Sequence, residues 1–155
     1  MNYSRNLIIS GITALAFLLF LTPSISAEPE SEVKLKYVKI YGDKDGETHF
    51  KDMTMPYETQ SYAPPAPPLG VMARQVATGL VSITAPPGYV SALHPAPREQ
   101  WMIITSGTAE IIVSDGEKRM LPTGSILYLE EIGSKGHLTN VIGDEQLILM
   151  VVEID

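Results

Sequence analysis

The stretch that decides the fold is Gly88-Tyr-Val-Ser-Ala-Leu-His94-Pro-Ala-Pro-Arg-Glu-Gln100, and Gly136-His137-Leu-Thr-Asn140 is its shorter counterpart. Each stretch sets one histidine in a glycine-containing frame between segments that read as strands. Because a small β-domain brings residues from distant segments together, we expect the two imidazoles to meet in one cavity and to hold a metal. The pattern predicts a site but names no substrate.

The flanking sequence predicts short strands with turns between them. We expect strands at residues 34–41, 48–50, 79–84, 100–105, 108–114, 125–130 and 146–154. Ser114-Asp-Gly-Glu117 is typical of a hairpin turn, because Asp-Gly supplies positive φ angles. Residues 147–152 (LILMVV) are apolar on both faces and are expected to be fully buried. No helical period occurs, so the sequence predicts an all-β fold closed into an antiparallel barrel or jelly roll.

The N-terminal segment has the layout of a secretory signal peptide. Arg5 precedes the uncharged residues 7–21, and a run of small residues ends at Ala27. The alternative is a permanent anchor, but fifteen apolar residues fall short of the roughly 20 that span a bilayer. We therefore expect residues 1–27 to direct export to the periplasm or beyond the cell, and residues 28–155 to form a single domain.

Composition limits the expected partners. The chain has no cysteine, a net charge of −7 and no cluster of Lys or Arg. An exported domain of this kind uses no disulfides, and its acidity argues against nucleic acids and anionic membrane surfaces. A small-molecule ligand is the expected partner. Residues 62–69 contain four prolines, so we expect an extended strap packed on the barrel rather than a central strand.

The two histidine frames resemble the motifs of the cupin superfamily. The first motif is matched by Gly88, His94 and Gly107, with Ala96 where a second histidine belongs and Gln100 where a glutamate belongs. The second is matched more loosely by Gly124, His137 and Asn140, and its proline is missing. Over residues 38–152 the chain is similar to small single-domain cupins. The resemblance implies one cupin-type barrel, a double-stranded β-helix, and a homodimer paired through N-terminal strands.

The resemblance also implies a metal site, although an incomplete one. Cupins usually offer three imidazoles and one carboxylate to Fe, Mn, Ni, Cu or Zn. Here His94 and His137 are the expected ligands, with Gln100 nearby and His49 as a further candidate. Glu131, or its neighbour Glu130, is expected to supply the missing carboxylate or to act as a general base.

Arg98 has two interpretations from sequence. On the face of His94 it would clamp a substrate carboxylate or phosphate, whereas on the surface it would pair with Glu99. Whether the protein is an enzyme stays open, and so does the choice among oxygenase, isomerase and lyase chemistry. The alternatives are a metal-free module that binds a small molecule and a purely structural barrel.

Overall fold

The computed structural model describes residues 33–154. The predicted signal peptide lies outside the described residues. Within them every regular element is a strand, which confirms the all-β prediction, and no helix there has the length and apolar character needed to cross a bilayer. The strands are β1 Lys34–Gly42, β2 Thr48–Pro56, β3 Glu58–Gln60, β4 Leu69–Val71, β5 Ala77–Ala85, β6 Gln100–Ser106, β7 Thr108–Val113, β8 Lys118–Pro122, β9 Ile126–Glu130, β10 His137–Ile142 and β11 Leu147–Ile154.

Two sheets share one core. The larger has the order β2-β1-β9-β6-β11-β5 and the smaller has the order β10-β7-β8, while β3 and β4 form a separate pair. Ile40 and Leu127 of the large sheet belong to the same buried cluster as Ile111 of the small sheet. The sheets therefore pack face to face. Their hydrogen bonds do not join them into one cylinder among the described residues, so the predicted closure of the barrel is wrong.

Most of the strands could be predicted from the alternation of apolar and polar residues. The strands expected near residues 34, 79, 100, 108, 125 and 146 are confirmed, with ends shifted by a few residues. The hairpin between β7 and β8 is also confirmed. Its Gly116 has a φ of 93°, and the Val113 N–H donates to the Glu117 carbonyl at 3.0 Å. These features depend on neighbouring residues alone, which explains why the sequence reveals them.

Two predictions of burial are wrong. In β11 burial alternates, with Leu149 and Val151 in the core and Ile148 36% exposed. The strand is paired on both edges, but only one of its faces meets the core. Residues 62–69 are exposed throughout, at the end of the hairpin that β3 and β4 form. They are therefore not a strap packed on a barrel.

Candidate functional site

A cavity of about 310 Å³ lies on the inner side of β5, β6 and β11. Its apolar wall includes Val81, Ile83, Met102, Leu149 and Val151, and its polar lining includes Ser91, His94, Gln100, His137, Thr139 and Glu153. A volume of this size suits a small organic molecule, and a mostly apolar wall with a few polar groups is typical of ligand sites.

A backbone bridge brings the two predicted histidines together. The His94 N–H donates to the His137 carbonyl at 3.1 Å, and the His137 N–H donates to the His94 carbonyl at 2.9 Å. The two ring centroids are 4.9 Å apart, with 44° between the ring planes. His94 is exposed at the edge of the cavity, whereas His137 is buried. Both rings line the same space, so one ligand can contact both.

Gly136 makes this close approach possible. Its φ is 85°, which side-chain-bearing residues rarely adopt. A Cβ at this position would collide with the carbonyl group of His94 and with the nitrogen of Pro95. The glycine in the second frame is therefore required both by its backbone angle and by its contact with the first frame.

Hydrogen bonds fix the orientation of both rings. His94 Nδ1 donates to the Ala92 carbonyl at 2.8 Å, and His137 Nδ1 bonds to Oε1 of Glu131. A carbonyl oxygen can only accept, so the neutral ring of His94 has its hydrogen on Nδ1, and the carboxylate favours the same tautomer for His137. Within residues 33–154 the Nε2 atom of neither ring has a hydrogen-bond partner. The two Nε2 lone pairs are thus left for a metal or a ligand donor.

Glu131 lies behind His137 and does not line the cavity. Its side chain is fully buried, and Oε1 also accepts a hydrogen bond from the Ala96 N–H at 3.3 Å. Oε2 is buried without a hydrogen-bond partner among the described residues. Glu131 therefore does not face the cavity itself, and its carboxylate orients the ring of His137, which does. The neighbouring Glu130 is more exposed and pairs with Lys39 on the outer surface.

Gln100 and Arg98 lie close together in sequence near the start of β6, but only Gln100 lines the cavity. Gln100 is 6% exposed and lines the cavity, as expected of a residue near the histidines. Arg98 is exposed and pairs with Glu153 at 3.3 Å, so the predicted pairing with Glu99 is wrong. Residues 94–100 do not form one regular strand, because Pro95 and Pro97 cannot donate to a ladder. Arg98 is not among the residues that line the cavity.

Glu99 instead accepts a hydrogen bond from the Tyr128 hydroxyl at 2.6 Å, on the outer face of the large sheet. Burial, followed by this carboxylate, raises the pKa of Tyr128 to about 12. Tyr128 also packs against Trp101, with ring centroids 4.7 Å apart. This aromatic contact holds the start of β6, where Gln100 enters the cavity.

His49 lies apart from the other two histidines. Its Nδ1 contacts Asp115 at 2.6 Å and its Nε2 contacts Asp43 at 3.2 Å. These hydrogen bonds, the one to Asp43 first, raise the pKa of His49 above its ordinary value. Both ring nitrogens are occupied and the residue does not line the cavity, so the structure does not place His49 with the candidate ligands.

Several polar residues of the cavity were missed from sequence, among them Ser91, Thr139 and Glu153. Ser91 and Thr139 are linked by a hydrogen bond from the Thr139 N–H to the Ser91 hydroxyl at 2.8 Å. Glu153 is a carboxylate among the lining residues, and its place on β11 alternates with Leu149 and Val151. That alternation was a usable signal for Glu153. Within the described part of the chain, no three His, Cys, Asp or Glu side chains form a group that could hold a metal.

The comparisons with known proteins assign no family. No family model matches the chain, and no curated protein matches it. Among solved structures, it is similar to a conserved protein of unknown function from Streptococcus pyogenes, with 20% identity, a TM-score of 0.40 and coverage of 54% of this chain and 70% of that one. An RmlC-like cupin protein from Desulfovibrio desulfuricans shows 12% identity and a TM-score of 0.37, with 76% and 81% covered.

A third solved structure, described as ethanolamine utilization protein Q from Salmonella typhimurium, shows 11% identity and a TM-score of 0.37, with coverage of 78% of this chain and 97% of that one. All three TM-scores are below the level at which likeness of fold supports inference. The class of protein is therefore defined here by its own geometry, as an all-β domain of two facing sheets with a cavity that two histidines line.

Replacement of Gly136 by alanine is expected to separate the two histidine frames. Gly136→Ala combines a strained backbone angle with a steric collision, so it should lower the free energy of unfolding by about 2–5 kcal/mol. The control is Gly116→Ala, which has a similar φ but open space around the added methyl group and should cost about 1–2 kcal/mol. Chemical denaturation measures both. Equal losses would show that the approach at His94 imposes no constraint.

The ion pairs of His49 predict a pH-dependent contribution to stability. Because the folded-state pKa of His49 is raised above 6.5, this contribution is fully present below pH 6.5 and is lost as the pH rises through the folded value. His49→Asn should therefore lower the melting temperature more at about pH 6 than at about pH 9. The pKa of Asp43 is lowered, so this carboxylate stays charged throughout that range. A difference that does not change with pH would contradict the assignment.

Proposed function

We propose that the protein is a small exported cupin-type jelly roll that binds one divalent metal ion through His94 and His137 and a small organic molecule in the adjoining cavity. The observation that carries the proposal is the hydrogen bonding of the two imidazole rings. Each Nδ1 is bonded to an acceptor of the protein, neither Nε2 has a hydrogen-bond partner among residues 33–154, and both residues line the cavity. Imidazole nitrogens suit Zn and Cu, and also Fe and Ni.

The residues around the rings fit a metal. Histidines that bind metals usually donate their other ring N–H to a carboxylate or a backbone carbonyl, which fixes the tautomer and the ring orientation. Here the carboxylate of Glu131 bonds to His137, and the Ala92 carbonyl accepts the hydrogen bond from His94. The amide oxygen of Gln100 is a candidate third ligand in the same cavity. With so few protein ligands, the other coordination positions would belong to water or to the bound molecule.

The chain's own residues have distinct roles in this proposal. Glu131 holds the His137 ring, and its charge favours a cation at the far nitrogen. Val81, Leu149 and Val151 bind the apolar body of the molecule and exclude water. A bound metal would supply Lewis acidity, by polarising an oxygen of the substrate or by activating water or dioxygen. Oxygenase, isomerase and lyase reactions are all compatible with this arrangement.

A metal-free binding module is the second candidate, and the small number of ligands favours it. Residues 33–154 offer no group of three His, Cys, Asp or Glu side chains for a metal. In this alternative the Nε2 atoms of His94 and His137 accept hydrogen bonds from hydroxyl or amine groups of a ligand. The apolar wall of the cavity then supplies most of the affinity, and no reaction follows.

The metal content of the purified protein tests the proposal. We expect about one equivalent of a divalent metal, and we expect His94→Ala and His137→Ala to lose it. Glu131→Gln keeps the shape of the side chain but removes its charge, so metal affinity should fall by about 10–100-fold. The matched control is His49→Ala, which should retain the metal because His49 lies outside the cavity.

Inductively coupled plasma mass spectrometry gives the stoichiometry, and titration with a competing chelator gives the affinity. A protein that contains no metal and whose melting temperature is unchanged by added zinc or chelator would overturn the metal proposal. If His94→Ala then weakens the binding of a small hydroxyl- or amine-bearing ligand, the binding module is the better description.

A further inference from the structure

Glu153 is the one acidic residue among the residues of 33–154 that line the cavity, and no lysine or arginine is among them. It lies on β11, opposite Gln100 of β6 and Gly79 of β5. Its side chain is 20% exposed, so the carboxylate borders the cavity while most of it is withdrawn from bulk water. The described lining therefore contains a carboxylate and no permanently cationic side chain to balance it.

Gly79 leaves room for this carboxylate. A Cβ added to residue 79 would collide with Oε2 and Cδ of Glu153. Gly79 does not have a positive φ, so its backbone angle alone would accept a side chain. What a side chain there would disturb is the carboxylate. The position of the Glu153 charge thus depends on a glycine in the neighbouring strand.

Arg98 bonds to one oxygen of the carboxylate from outside the cavity. Its Nη1 donates to Oε2 of Glu153 at 3.3 Å, and its side chain is 54% exposed. An ion pair in such a setting is screened by water and contributes little. The other oxygen, Oε1, has no hydrogen-bond partner among the described residues, although a carboxylate can accept on both oxygens. Glu153 therefore has an oxygen to offer to a second donor.

We propose that the cavity selects a small molecule with a positively charged amine on an apolar body, and that Glu153 determines this specificity. The inference rests on the proposed binding of a small molecule in the cavity, but not on the metal. Leu149 and Val151 lie on the same face of β11 as Glu153 and form part of the apolar wall. An apolar body packed on these two residues has the carboxylate next along the strand, where an ammonium group donates to it.

A ligand with a carboxylate or phosphate group is disfavoured by the same arrangement. An anion in a largely apolar cavity needs cationic partners, and Glu153 would repel it. Arg98 cannot serve as that partner inside the cavity, because it does not line it. The net charge of −7 likewise attracts cations rather than anions toward the protein.

Glu153 is also not a substitute for the carboxylate that the histidine pair lacks. Within residues 33–154 it does not complete, with His94 and His137, a group of three side chains that could hold a metal. The carboxylate is thus a second point of attachment in the cavity, separate from the two imidazoles.

Three probes that share a cyclohexyl ring test the specificity: cyclohexylamine, cyclohexanol and cyclohexanecarboxylate. At about pH 7 the amine is charged, as a lysine side chain is, whereas the alcohol is neutral and the acid is an anion. Methyl NMR resonances of Val81, Leu149 and Val151 report each titration, with EDTA present so that no probe coordinates a metal. We expect the amine to bind about five- to tenfold more tightly than the alcohol, and the carboxylate to bind most weakly.

Two variants attribute the preference to Glu153. Glu153→Gln keeps the size of the side chain but removes its charge, so the amine should lose its advantage while the alcohol binds as before. Gly79→Ala forces the carboxylate to move and should reduce the advantage in part. The matched control is Glu58→Gln, which removes the same charge from an exposed residue outside the cavity and should leave the preference unchanged.

The possible failures are distinguishable. Equal affinities of the amine and the alcohol for the natural sequence, or a preference for the amine that survives in Glu153→Gln, overturn the inference but leave the binding of small molecules intact. If none of the probes shifts the resonances of the cavity, the inference and the proposed binding of a small molecule fail together.

Discussion

The backbone bridge between His94 and His137 is the constraint on which the rest of the site depends. Two hydrogen bonds, of 3.1 and 2.9 Å, fix the two frames against each other. They place the rings 4.9 Å apart, which side-chain rotation alone would not maintain. Gly136 permits the contact, because any side chain there would occupy the space of the His94 carbonyl. The loop that contains His94 is therefore positioned by the start of β10.

Glu131 adds a second constraint, in the form of a buried carboxylate. Removing such a group from water costs several kcal/mol unless hydrogen bonds compensate. Oε1 has His137 and the Ala96 N–H, whereas Oε2 has no partner among the described residues. An arrangement that only stabilised the fold would be served as well by an apolar residue. Its position beside His137 fits a role in setting the properties of that ring.

The features that could be predicted from the sequence are those that depend on neighbouring residues. Alternation located most strands, and the Asp-Gly dipeptide located the β7–β8 hairpin. The two histidine frames also indicated that His94, His137 and Gln100 lie near one another, and all three residues line one cavity. The sequence did not predict the β8 and β10 strands. Apolar residues are few in both strands, and β8 ends at Pro122.

Contacts between distant residues account for the remaining errors. Nothing near His49 in sequence announces Asp115, which occupies one of its ring nitrogens. Arg98 pairs with Glu153 because β11 lies beside β6, a fact of topology rather than of pattern. The apolar run at residues 147–152 indicates a strand, but it does not reveal whether a second layer covers the outer face. Residues 62–69 are exposed at the end of the β3–β4 hairpin, a position that their own sequence does not reveal.

The most direct test of the central claim is long-range ¹H–¹⁵N NMR of the imidazole rings, at a pH where the rings are neutral and with zinc added in steps. The geometry predicts that both His94 and His137 have the hydrogen on Nδ1, and that zinc shifts the Nε2 resonances of both rings together while those of His49 stay unchanged. Hydrogen on Nε2 in either ring, or a zinc response confined to one of them, would contradict the account.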